Sequence, residues 1–175
     1  MIDKQITGFL KKYSKESLQM KVMWEVTESR PWDNLTPLHE ILVQLGHLRQ
    51  SYEPNSLYHM LDEVCDILFQ TIILMEFNDI RYKAINTCNI ITKEEFLENL
   101  IIYFSKASEL LMEKYGQRFR KNTQKKLEEA IADNVSHILN LIFEFIEINN
   151  FSLELGYRTM LDESEKFINE KKYKT

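Results

Sequence analysis

A chain of 175 residues, 44% hydrophobic and 28% charged, has the make-up of a single folded domain with a proper core. Its formal charge of −5 argues against a general nucleic-acid binder, because such domains are usually basic overall. Two cysteines set up no disulfide framework, and only 4 Gly and 3 Pro predict long helices with few turns, an all-α protein.

In chain order, Ile2, Ile6, Phe9, Leu10 and Tyr13 predict a short amphipathic helix. Ser14 is placed to cap a second, from Lys15 to about Ser29, with Leu18, Val22, Met23 and Val26 facing inward. Neither Met1–Ser17 nor any later stretch reads as a signal peptide or a membrane span, so a cytoplasmic protein is expected. Arg30-Pro31-Trp32-Asp33 breaks the helix, and Trp32 reads as a core anchor rather than a base-stacking platform. Thr36-Pro37 predicts an N-cap followed by proline in the first turn of a helix from Leu38 to Gln50. That helix buries Leu38, Ile41, Leu42, Leu45 and Leu48, and carries Glu40, Gln44 and His47 on a polar stripe beside them.

The stretch from Leu57 to Phe77 organises the chain. Leu57, Met60, Leu61, Val64, Ile67, Leu68, Thr71 and Ile72 recur at helical spacing, with His59, Glu63, Asp66 and Gln70 on a separate stripe. Burying a carboxylate without a partner costs several kcal/mol, roughly, so a cation or a donor should face Glu63 and Asp66. The connector from Ser51 to Asn55 is short enough to make the two helices an antiparallel hairpin. Counting outward from it sets Gln44 opposite Glu63, Glu40 opposite Asp66 and His47 near His59. Cys65, between the carboxylates, reads as a packing residue.

Beyond a polar connection over Arg81–Ile91, the capping box Thr92-Lys-Glu-Glu95 opens a helix to about Tyr115, ended by Gly116. A further helix, Thr123 to Asn149, turns Leu127, Ile131, Val135, Ile138, Leu139, Ile142 and Phe145 inward, and a last one follows Ser152. Asp62–Leu68 matches Asp133–Leu139 at four of seven positions with an offset of 71. Duplication of a helical hairpin and chance similarity between amphipathic helices account for this echo equally. On the first account a single domain, 1–175, holds a motif-bearing hairpin (31–80) and a degenerate one (92–150), with Asn134 and His137 where the first has Glu63 and Asp66.

A hard cation such as Mg²⁺ takes oxygen ligands, which Glu63 and Asp66 can supply from one helix and Glu40 from its neighbour. An isolated pair of this spacing on a helix is otherwise a solvated face. From Lys114 to Lys126 the chain carries Arg118, Arg120, Lys121 and three further lysines with no acid among them. That run suits phosphate groups, and it equally suits solubility and the negative end of the preceding helix. His39, His47, His59 and His137 show no zinc-ligand spacing.

Val43-Gln44-Leu45-Gly46-His47-Leu48 followed by Leu61-Asp62-Glu63-Val64-Cys65-Asp66-Ile67-Leu68 resembles the MazG-like, all-α nucleoside triphosphate pyrophosphohydrolases, which pair an E-x-x-E helix with an E-x-x-D helix. Pro31-Trp32-Asp33 is similar to their proline-tryptophan-aspartate segment, and the resemblance covers about Pro31 to Phe77. It implies a helical bundle, a homo-oligomer such as a dimer, and Mg²⁺- or Mn²⁺-dependent cleavage of a nucleoside triphosphate into monophosphate and pyrophosphate. It also implies that Glu63 and Asp66 hold the metal and serve catalysis. The family's first pair falls on Gln44 and His47, so two carboxylates are absent. A set of Glu40, Gln44, Glu63 and Asp66 is the remodelled metal site this suggests, with Arg118, Arg120 and Lys121 for the phosphates. The alternative is a non-catalytic protein of the same fold that binds a nucleotide or a protein partner.

Overall fold

The computed structural model describes residues 2–52, 57–85, 92–119 and 122–172, and among these it contains six helices and no strand. They are α1 (Ile2–Glu28), α2 (Thr36–Ser51), α3 (Leu57–Asn78), α4 (Lys93–Lys114), α5 (Gln124–Ile148) and α6 (Leu153–Lys172). No helix among the described residues is long and apolar enough to cross a membrane.

The two helices expected at the N-terminus are one. α1 runs unbroken for 27 residues, because nothing in Lys12-Tyr13-Ser14-Lys15-Glu16 stops a helix. The continuous helix buries Ile6, Tyr13, Ser17 and Met20, and leaves Val22 and Val26, expected inside, 52% and 64% exposed. The start of α2 also differs from the sequence reading. Asp33, not Thr36, does the capping: its Oδ1 accepts from the amides of Leu35 (2.9 Å) and Thr36 (2.7 Å) and from the Thr36 hydroxyl (3.0 Å). Trp32 is buried, and its amide donates to Glu25 Oε1 at 2.6 Å. The Thr92–Glu95 capping box forms as expected. α1, α3, α4 and α5 stop in one way. Ser29, Asp79, Gly116 and Asn150 take left-handed φ values of 53°, 52°, 72° and 53°. The next amide then donates back to the last turn, as from Ile80 to the Met75 carbonyl (2.9 Å) and from Gln117 to that of Met112 (2.8 Å).

The helices pack in three layers of two, with α3 and α5 between α2/α4 on one side and α1/α6 on the other. α2 and α3 are antiparallel: His47 approaches Glu63 at one end, and Asn78 Nδ2 donates to the Asn34 carbonyl (3.2 Å) at the other. α4 and α5 repeat this, from Glu113 accepting the Asn122 amide (2.7 Å) to Phe96 stacked on Phe145 with centroids 4.0 Å apart. Between the hairpins, the Tyr52 hydroxyl donates to the Lys93 carbonyl (2.6 Å) and Asn34 Nδ2 to the Tyr115 hydroxyl (2.8 Å), so α2 and α4 are antiparallel too. Helices sandwiched on both sides must be apolar all round. Ile67–Met75 of α3 and Ile138–Ile146 of α5 are buried at every residue, and these stretches lie 71 residues apart, the offset of the sequence echo.

α1 and α6 run parallel and close the third layer. Lys12 pairs with Glu154, Glu16 accepts from Arg158 (3.0 Å), and Trp24 meets Phe167 with centroids 5.7 Å apart. The buried hydroxyls of Ser17 and Tyr157 are 2.7 Å apart, sharing a hydrogen bond inside a cluster with Phe9 and Tyr13. Gly156 lets α6 approach α3 closely, since a Cβ there would sit 3.1 Å from the Leu61 side chain and 3.2 Å from Cys65 Sγ. Cys65 is fully buried, as a packing residue should be.

Candidate functional site

α3 lies between α2 and α6 along its first half, and its acids divide between them. Glu63 turns to α2. Its side chain is 20% exposed, its Oε2 is out of reach of solvent and makes no hydrogen bond, and His47 Nδ1 is 3.6 Å away. That separation permits an ionic attraction to a protonated imidazole but not a hydrogen bond. His47 Nδ1 is instead 3.0 Å from Gln44 Oε1. Burial raises the pKa of Glu63 and Asp62 raises it further, while His47 and His59 pull it down.

Asp66 is mostly enclosed, and its pKa is pushed up to about 7, first by burial and then by Asp62, Glu63 and Glu163. Among the described residues, every charged group acting on it is therefore a carboxylate. Asp62 is raised by burial and by Glu163, with His59 opposing. Three acids, Asp62, Asp66 and Glu163, thus share one neighbourhood at the α3–α6 junction, with Glu63 beside them on the α2 side, and two of them, Asp62 and Glu163, were not singled out from the sequence. Asp62 was legible as the i, i+4 neighbour of Asp66. Glu163 was not, since only the packing of α6 brings it there. One turn beyond Asp66, Gln70 is buried and its Oε1 makes no hydrogen bond.

Glu40 departs from the expected set. It lies 3.9 Å from the Arg30 guanidinium, which also reaches Glu28 at 3.7 Å, and it is not among the groups acting on Glu63 or Asp66. The register explains this. His47, not Gln44, draws level with Glu63, so Glu40 falls at the far end of α2, where α1 delivers Arg30.

Among its described residues, the cationic run does not join the acids. Lys114 Nζ donates to the Asn78 carbonyl (3.2 Å) and the Tyr115 hydroxyl to Asn78 Oδ1 (2.5 Å), which anchors the α4–α5 turn at the C-terminal end of α3. At 1.5 Å per residue, Asp66 lies about 18 Å from Asn78 along the helix. Arg118 forms its ion pair with Glu109. Arg120 and Lys121 lie outside the described residues. On α5, at the positions matching the acids of α3, Asn134 donates to the Ala130 carbonyl (2.7 Å) and His137 stacks on Tyr103 with centroids 4.4 Å apart.

In donor type the α3 stripe fits a hard cation: two largely dehydrated carboxylates, one with an oxygen free of hydrogen bonds, and the Gln44 amide oxygen on the facing helix. In position it fits less well, because no group of three or more His, Cys, Asp or Glu side chains among the described residues is set to hold a metal. Side-chain rotation of Glu63 and Asp66 is what would bring them to one point. Compared with known proteins, the chain matches no family model, no curated protein and no solved structure.

Proposed function

We propose that the chain is a nucleoside triphosphate pyrophosphohydrolase of the MazG-like, all-α type. It would cleave its substrate to a nucleoside monophosphate and pyrophosphate with Mg²⁺ or Mn²⁺. One observation carries the reading: Asp66 is mostly buried on an apolar helix, and the charged groups that act on it among the described residues are all carboxylates. A folded protein does not gather such charge without cost, and a divalent cation brought in with a substrate removes that cost.

In this reading Glu63 and Asp66 hold the cation, with Gln44 offering its amide oxygen in place of a carboxylate. When bound, the cation supplies neutralising charge for the phosphates and acidifies water. Asp62 and Glu163 keep the local potential negative, which favours a cation over any anion that arrives alone. His47, bonded to Gln44, keeps that amide beside Glu63 near the closed end of the hairpin. A cytoplasmic setting, with its nucleotide pool, goes with this activity.

The test is pyrophosphate release across a panel of ribo- and deoxyribonucleoside triphosphates with Mg²⁺ and with Mn²⁺. Release from at least one substrate, abolished in Glu63→Gln and in Asp66→Asn, is the expected result. No release from any substrate with either metal overturns the assignment. A second reading, a protein of this fold that binds a nucleotide or a partner without cleaving it, is favoured by the Gln44–His47 hydrogen bond, which occupies the place of two family carboxylates. Metal- and nucleotide-dependent stabilisation without pyrophosphate release would identify it.

A further inference from the structure

Between the first half of α1 and the corner where α5 turns into α6 lies a cavity of about 620 Å³, the size of a small-molecule site. Its floor is apolar and aromatic. Phe143 and Ile146 are buried there, Phe9 and Phe151 are half-buried, and Phe9 meets Phe143 edge-on with centroids 5.6 Å apart. Lys4, Gly8 and Lys12 line one wall, each four residues from the next on one face of α1. Gly8 is the residue of this wall that calls for a reason. Glycine inside a helix weakens it relative to alanine, and nothing packs within 4 Å of the place its Cβ would take. No neighbour in the chain needs the missing side chain. What its absence does is leave the mouth of the cavity open.

The charges at the mouth say what enters it. Lys12 of α1 pairs with Glu154 of α6, and Glu154 also accepts from the Tyr13 hydroxyl at 3.3 Å, so these two charges are satisfied within the chain. Lys4 on α1 and Glu147 on α5 line the same cavity, are exposed, and form no ion pair among the described residues. A free ammonium on one wall and a free carboxylate on another thus stand over an apolar floor. An anion entering alone would meet Glu147 as a like charge, and a cation would meet Lys4 in the same way. A ligand with both an ammonium and a carboxylate on an apolar body answers each. Aromatic bodies suit the floor best, because edge and face contacts with Phe9, Phe143 and Phe151 add to the burial of their area.

We propose that this cavity binds an apolar zwitterion: an α-amino acid with a large aromatic side chain, or a short peptide of such residues. Lys4 takes the carboxylate, Glu147 the ammonium, and the aromatic floor the side chain. The site does not depend on the proposed activity, because none of its charged groups is among those acting on Asp66. A body of about 15 non-hydrogen atoms, the size of tryptophan, should bind with a Kd of about 0.5 mM at the efficiency usual for drug-sized ligands. A dipeptide that buries more apolar area in the same cavity should bind more tightly.

Amide-shift NMR titration of the isotope-labelled full chain tests this, with each probe raised to about 5 mM, roughly ten times that Kd. The probes are L-tryptophan, the dipeptide tryptophyl-leucine, tryptamine (no carboxylate) and indole-3-propionate (no ammonium). A zwitterion should give saturable shifts at Gly8 and Asn150, and the tighter of the two identifies amino acid or peptide as the source. Tryptamine and indole-3-propionate should bind at least about fivefold more weakly than L-tryptophan, since each leaves one charge of the site unanswered. Gly8→Leu, which puts its side chain into open space at the mouth, should lose every probe without a lower melting temperature. Lys4→Glu should turn the preference to tryptamine and Glu147→Lys to indole-3-propionate, reversals that a change in folding alone does not produce. No saturable shift from either zwitterion, a single-charge probe as tight as L-tryptophan, unchanged binding in Gly8→Leu, or no reversal in the charge variants would each overturn the proposal.

Discussion

Asp66→Asn removes the charge that the folded chain tolerates least while leaving the side-chain volume almost unchanged. In an unfolded chain the Asp66 carboxyl titrates near 3.8, and in the folded one near 7. The folded state therefore keeps its proton to higher pH. Below about pH 4 Asp66 costs nothing; as pH rises toward 7 the folded state loses stability progressively, and above about pH 8 the loss is complete. At about 1.4 kcal/mol per pH unit the whole rise corresponds to about 4 kcal/mol, and partial solvent screening brings the expected range to about 2–4 kcal/mol. Asp66→Asn should accordingly be more stable than the wild type by that amount at pH 8, and no more stable at pH 4. For a chain of this size the difference at pH 8 is about 4–16 °C in melting temperature. Urea and thermal unfolding followed by circular dichroism at pH 4, 6 and 8 measure it. Saturating Mg²⁺ or Mn²⁺ should narrow the difference at pH 8 by stabilising only the wild type, according to RT ln(1 + [M]/Kd). A variant less stable than the wild type at pH 8, or a difference unchanged between pH 4 and pH 8, would refute an ionised Asp66 that lacks a counter-charge.

Glu63→Gln should abolish any metal-induced rise in melting temperature, because the amide keeps one oxygen but loses the charge that holds the cation. The pair Gln44→Glu with His47→Glu adds two carboxylates facing Glu63, and should tighten metal binding by at least about tenfold in calorimetry, while lowering metal-free stability at pH 8. Gly156→Val forces a Cβ to within 3.1 Å of Leu61 and 3.2 Å of Cys65, and should cost about 1–3 kcal/mol in urea unfolding. Gly8→Ala, with nothing within 4 Å of the new methyl, should gain up to about 1 kcal/mol. Thr92→Ala breaks the capping box that opens α4 and should cost about 1 kcal/mol in the same assay.

The sequence by itself determined that the protein is helical, where five of its six described helices lie, and which residues of α5 face inward; on α3 it found Met60, Val64, Ile67, Leu68, Thr71 and Ile72 but also set Leu57 inside, which is 49% exposed. Low Gly and Pro content, the Thr92 capping box and a strong 3.6-residue period act locally, and nothing distant overrides them. It also isolated Glu63 and Asp66, since two carboxylates inside an apolar helix stand out without coordinates. Tertiary packing decided the rest. Periodicity could not reveal that Val22 and Val26 face outward, because that rests on which face of the 27-residue α1 meets α3 and α6. It could not say that α2 meets α3 one turn out of the counted register, which hands Glu40 to Arg30 and His47 to Glu63. Nor could it bring in Glu163, nearly a hundred residues away on α6, or remove Arg118 to the opposite end of α3. A helix sets the angle at which each side chain leaves its axis. Which neighbour stands at that angle depends on how six such rods settle against one another, and that is where the charges of this site acquired their company.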